Sequence, residues 1–147
     1  MKFVKALLLG AILTTGVAHA EGERTDPNAI ARSDLMRTIG KNIGMLGDMA
    51  GGKAAYDAAG AEGAKAAIIE AAGKIEATFK EPGAADPASE AKPEIWANWD
   101  DFLANAKKLG DAAGAMDVAS AESIGAGMGA LGGVCKDCHT EFRMMKQ

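Results

Sequence analysis

Apolar positions along the chain recur at spacings of three and four in four separate stretches, the pattern of helices that each bury one face. The first stretch opens at Asp26-Pro27, a capping carboxylate followed by the residue best suited to a first helical turn, and runs to about Ala50, where Gly51-Gly52 stops it. Its stripe is Leu35, Met36, Ile39, Ile43, Leu46 and Met49 or Ala50. The second spans about Asp57 to Phe79, with Ile68, Ala72, Ile75 and Phe79 inward and Lys80 in its last turn. A polar, proline-containing linker, EPGAADPASEAK, separates it from the third. That stretch starts at Pro93 and carries Trp96, Trp99, Phe102 or Leu103, Ala106 and Leu109 as far as Gly110 or Gly114. The fourth runs from about Ser120 to Met144 through Ile124, Met128, Leu131, Cys135, Cys138 and Phe142. Gly125, Gly127, Gly129, Gly132 and Gly133 each lower its helix propensity by up to ~1 kcal/mol relative to Ala. Either something else holds that segment, or the glycines let another body pack against its backbone. Four such helices joined by short links are expected to form an all-α, antiparallel up-down-up-down four-helix bundle. In that arrangement the start of the first helix lies beside the end of the last.

Met1 to Ala20 has a different character. A basic start at Lys2 and Lys5, an apolar run from Ala6 to about Val17 and a small-x-small ending at Ala18-His19-Ala20 form the three-part pattern of a secretory signal. The run is shorter than the ~20 residues of a spanning helix. The expected organisation is a cleaved signal at 1–20 and one bundle domain at 21–147, exported to the periplasm with no membrane span after cleavage. Removing the signal leaves 14 basic and 20 acidic side chains. That acidic balance argues against nucleic acid as a partner, because phosphate binding needs clustered Lys and Arg.

The remaining portion holds two Cys and, without His19, a single His. Four N/S ligands for zinc cannot be assembled from them without a carboxylate. The three residues instead form one run, Cys135-Lys136-Asp137-Cys138-His139, near the end of the fourth helix. C-x-x-C-H is the attachment signature of a c-type haem. Cysteines three apart share a helix face and can reach the two vinyl groups at one porphyrin edge, and the next imidazole can turn to the iron. The expected cofactor is one haem c, covalently bound through Cys135 and Cys138. A structural disulfide would close a tiny loop, stabilise little and leave the adjacent His unexplained. A thioredoxin-like pair needs a βαβ context at the start of a helix, and this motif lies at a helix's end.

With these residues in place the chain resembles the class II c-type cytochromes, the cytochrome c' family, and most of all its low-spin, Met-ligated branch. The resemblance rests on Arg32 and Met36 in the first helix, Ala55-Tyr56-Asp57 opening the second, Lys92-Pro93-Glu94-Ile95-Trp96 opening the third, and Gly132 to Arg143 around the motif. It implies a four-helix bundle carrying one haem on its C-terminal helix.

The sixth iron position separates two functions. Iron held by His alone is open to small gases, whereas His plus a thioether makes a closed centre with a raised potential, suited to electron transfer. In the bundle, Met45, Met49 and Met116 fall at the end opposite His139. Met128 is about 16 Å earlier on the same helix, and Met144 and Met145 follow His139 on its own side. Met36 sits at the right height on the adjacent helix, although most buried Met residues are simply core fillers. The resemblance decides between these: by register with Arg32 and Tyr56, Met36 occupies the distal position that a low-spin branch fills with a ligating Met. It also implies that Arg32 lies near a haem propionate and that Arg143 covers the imidazole edge. Trp96, Trp99 and Phe102 are expected to pack in the core, and Tyr56 either there or at a subunit contact.

The expected function is therefore a periplasmic one-electron carrier with His139 and Met36 as axial ligands, serving redox partner proteins and not acting as an enzyme. The alternative is a high-spin, five-coordinate protein that binds nitric oxide or carbon monoxide. A peroxidase-like activity would want a second His as a distal acid-base group. The resemblance also implies a possible homodimer, since high-spin members of the family are commonly dimers through helices one and two; Gly40, Gly44 and Gly47 allow close helix approach equally by a second copy or by the chain's own neighbouring helix.

Overall fold

Side-chain caps set where three of the four long helices begin. In the computed structural model, which describes residues 23–144, α1 (Pro27–Ala50) starts where the Asp26 carboxylate accepts the Ala29 N–H at 2.9 Å, and it ends at Gly51. The expected signal at 1–20 lies outside the described residues. Asp57 caps α2 (Ala58–Gly73) by accepting from the Ala59 and Gly60 N–H groups. Ser120 caps α6 (Ala121–Phe142) through a reciprocal exchange with Ser123.

Two of the expected helices are each broken once. The second stretch divides at Lys74, whose N–H turns back to the Ala71 carbonyl in a tighter closure beside Gly73, leaving α3 (Ile75–Phe79) as a separate turn. The third divides at Asn98, where φ −123° and ψ 52° end α4 (Glu94–Ala97) before α5 (Trp99–Ala115) begins. That break rotates the buried face. Ile95, absent from the expected stripe, is 1% exposed, while Trp96 and Trp99 are only part-buried. The fourth helix stops at Phe142, short of the expected Met144, because Arg143 turns to extended backbone.

The bundle closes as a square: α1 packs on α2 and α6, and α5 packs on the same two. α3 continues the second leg and α4 opens the third, so the topology is the expected antiparallel up-down-up-down arrangement. Leu46, Ile68, Ile95, Ile124 and Leu131 are its fully buried large side chains, each contributing ~1.5–3 kcal/mol of transfer free energy. At one end Phe102 gathers three rings, with centroids 5.1 Å from Phe79, 5.6 Å from Trp99 and 5.3 Å from Phe142.

Close approach explains one glycine of the run in α6, Gly127, while Gly125 makes an ordinary contact. A Cβ on Gly127 would lie 3.0 Å from Met116 Cγ, and one on Gly125 would lie 3.9 Å from Ala50 Cβ. Gly129 and Gly133 have no atom within 4 Å of that position, and nothing in the fold explains them.

The polar linker is pinned at both ends. Asp86 accepts the N–H groups of Thr25, Asp26 and Ala88, and Asp26 in turn accepts that of Ala84 at 3.0 Å. Gly83 makes the turn possible: its φ is +76°, and a side chain there would run into the Asp26 carboxylate. At the other end Ala91 pairs antiparallel with Arg143, with the Lys92 N–H bonded to Phe142 O and the Met144 N–H to Glu90 O. Arg143 also forms an ion pair with Glu90 at 2.7 Å.

These contacts make the fold acid-sensitive. The backbone amides of Ala29 and Ala84 hold the Asp26 carboxyl below its ordinary value, and those of Asp26 and Thr25 do the same for Asp86. A depressed native pKa adds stability that is complete above the unfolded value of about 3.9 and is lost as pH falls through the native one. Asp26→Asn keeps a capping oxygen but loses the charge and one acceptor. Thermal melts are expected to show the variant less stable at pH 7, with the gap to wild type closing below about pH 4; a gap that stays constant with pH would contradict this account.

Candidate functional site

At the Phe102 end the helices enclose a mostly apolar cavity of about 590 Å³, within the ~300–1,000 Å³ common for cofactor sites. α1 contributes Met36, Ile39 and Ile43, α3 and α4 add Ile75, Phe79 and Ile95, and α5 adds Phe102, Ala106 and Leu109. α6 supplies the chemistry: Cys135, Cys138 and His139 all stand in the wall, half-buried. Among the described residues Met36 is the only methionine lining it.

Helix register sets the height of Met36. Gly47 meets Met128 and Ala50 meets Gly125, so α1 and α6 run antiparallel in one continuous register. Fourteen residues back from Ala50 is Met36, and fourteen onward from Gly125 is His139. Equal steps at the same rise per residue bring the thioether and the imidazole to the same level.

The protonation behaviour of the motif differs from that of a thiol redox pair. Burial pushes the Cys138 thiol up to about 11, helped by Cys135, and burial also raises Cys135. Catalytic redox cysteines have the opposite shift. The two thiols are unbridged. Burial and the nearby Arg143 lower the His139 pKa, against a smaller opposing pull from Glu90, so the imidazole is neutral near pH 7 and keeps a lone pair for a metal. Among the described residues no three His, Cys, Asp or Glu side chains gather into a metal cage.

Arg32 is 5% exposed and stands in the same wall. Its Nη1 donates to the Glu81 carbonyl at 3.0 Å, and its guanidinium lies 5.4 Å from the Trp96 ring centroid and 5.9 Å from that of Phe79. Burial lowers its pKa, while Asp26 and Asp86 oppose that shift. Its Nε is buried without a partner, and such an orphaned cationic donor calls for an anion. Trp96 thus does more than fill the core: it covers Arg32 and donates its indole N–H to the Phe79 carbonyl. Tyr56, with its ring partly exposed, donates to the Val118 carbonyl at the opposite end. Of the three glycines on α1, Gly47 packs against Met128 of the chain's own α6, Gly40 lines the cavity, and Gly44 faces open space.

Sequence reasoning missed Glu90, Glu81 and Asp86. Their partners are about 50 to 60 residues away in the chain, and no local spacing signals such pairs. The composition of EPGAADPASEAK marks a linker without marking what it is pinned to.

An apolar slot with two thiols and an imidazole on one wall, a thioether on the adjacent helix and an unpaired buried guanidinium fits a flat apolar macrocycle with an anionic edge. Fold and site together define a class II c-type cytochrome. The profile of the family Cytochrome C' matches residues 28–143. Cytochrome c-556 of Agrobacterium fabrum is 32% identical over 149 residues, covering 99% of this chain and 97% of that one. Cytochrome c' of Rhodospirillum rubrum is 37% identical over 150 residues, covering 92% of each. The solved cytochrome c' from Rhodopseudomonas palustris superposes with a TM-score of 0.71 at 28% identity, covering 82% of this chain and 98% of that one. The chain belongs to the cytochrome c' family, whose members carry one covalent haem c and are electron carriers or gas-binding haem proteins, not enzymes. No helix among the described residues is long and apolar enough to cross a membrane.

Proposed function

We propose that this cytochrome is a one-electron carrier in the periplasm, exported by a signal cleaved after Ala20, with haem c held between His139 and Met36. A bound haem supplies one-electron redox chemistry at its iron. Cys135 and Cys138 tether it at one edge, so that it stays in place after export. His139 offers a neutral nitrogen, and Met36 offers a sulfur from the facing helix. Arg32 pairs its free Nε with a haem carboxylate. The apolar wall from Ile39 to Leu109 excludes water. The observation that carries the reading is Met36 itself, the only cavity-lining methionine among the described residues and level with His139. The partners are then redox proteins. A homodimer along α1 and α2 would have Gly40 and Gly44 open to it, Gly47 being taken up by Met128.

Absorption spectra of the oxidised and reduced holoprotein test this. A thioether-to-iron charge-transfer band near the red edge, with no change on adding carbon monoxide, is expected. A high-spin spectrum that responds at once to nitric oxide or carbon monoxide would replace the carrier with a gas-binding protein.

A further inference from the structure

The contacts around Arg32 converge on a residue outside the cavity wall. Nη1 of Arg32 bonds to the carbonyl of Glu81, which belongs to the pinned segment 80–92. That segment is held against the start of α1 by carboxylates: Asp86 accepts from Thr25 at 2.8 Å, Asp26 at 3.0 Å and Ala88 at 2.8 Å, and Asp26 accepts from Ala84. Both ends of the attachment involve exchangeable polar contacts, with no large apolar side chain between Lys80 and Lys92 to hold the segment otherwise. The fields of Asp26 and Asp86 also act on Arg32, and that of Arg24, another residue of the cavity wall, acts on Asp86.

We propose that Asp86 is a positioning residue: by latching the 80–92 segment to the start of α1 it holds the Glu81 carbonyl on Arg32 and so keeps the guanidinium set against an anion in the cavity. The inference rests on the reading that this anion is a haem carboxylate. Two opposite electrostatic consequences make it testable. A carboxylate near the iron stabilises the oxidised, more positive state, so deleting Asp86 as a bare charge raises the reduction potential. Releasing Arg32 uncovers the haem carboxylates and lowers it. Positioning predicts the second sign, against the direct effect of the lost charge.

The experiment is a midpoint-potential measurement at pH 7 on holoprotein from a host competent in cytochrome maturation, comparing wild type, Arg32→Gln, Asp86→Ala and the double variant. Arg32→Gln is expected to lower the potential. Asp86→Ala shifts it in the same direction by a smaller amount, and in the Arg32→Gln background it no longer lowers it. Hydrogen exchange at the Ala84 amide, whose acceptor is Asp26 and is left intact, is expected to quicken roughly tenfold in Asp86→Ala because the whole segment loosens. If Asp86→Ala does not fold, Asp86→Asn, which retains one acceptor oxygen, is read by the same sign. A potential that rises or stays unchanged in the Asp86 variant while it falls in Arg32→Gln overturns the positioning role alone. A potential unmoved in Arg32→Gln overturns the pairing of Arg32 with a haem carboxylate on which it rests.

Discussion

In Met36→Ala, the charge-transfer band of a thioether-ligated iron disappears, the reduction potential falls, and the reduced protein binds carbon monoxide on mixing. His/Met ligation raises the potential relative to an iron without the sulfur, and alanine leaves nothing in the α1 wall at that height to replace it. Met128→Ala is the matching control. Its side chain packs on Gly47 away from the cavity, so it alters stability and leaves the spectrum as in wild type. A Met36→Ala spectrum identical to wild type would remove the sulfur from the iron and make Met36 a filler of the wall.

The largest loss of stability is expected from Phe102→Ala. The ring is 3% exposed, sits in the cavity wall and contacts Phe79 of α3, Trp99 of α5 and Phe142 of α6. Deleting a buried Phe costs about 3–5 kcal/mol because the cavity left behind collapses only in part. For a domain of this size that is a fall in Tm on the order of 10 °C or more, read by the thermal loss of helical circular dichroism. Phe102→Leu keeps most of the volume and recovers most of the difference. A shift of about 2 °C or less in the alanine variant would mean that the three rings repack without it.

Local signals carried much of this structure. Asp26-Pro27 and Gly51 bound α1 as expected because a cap and a stop act within one turn. Cys135, Cys138 and His139 share a wall because one short helical run contains all three. Helix order and rise put Met36 at the height of His139, and the register through Gly47 and Gly125 gives the same height; a place on the iron is what the resemblance implies. The breaks at Lys74 and Asn98 were not legible, since the apolar stripe continues across both and only the tertiary path requires them. The polar linker stands between helices as expected, but its anchoring is not legible. Its composition reads as a spacer, yet Asp86 and Gly83 anchor it to a helix start some sixty residues earlier, and long-range pairing of this kind leaves no periodicity.

The contact between α1 and α6 is uneven along its length. Gly47 meets Met128 and Gly125 meets Ala50 at one end, while at the other both helices line the cavity. What joins α1 to α6 beside Met36 and His139 is therefore whatever fills the cavity, and fourteen residues along each helix it is the direct meeting of Ala50 and Gly125.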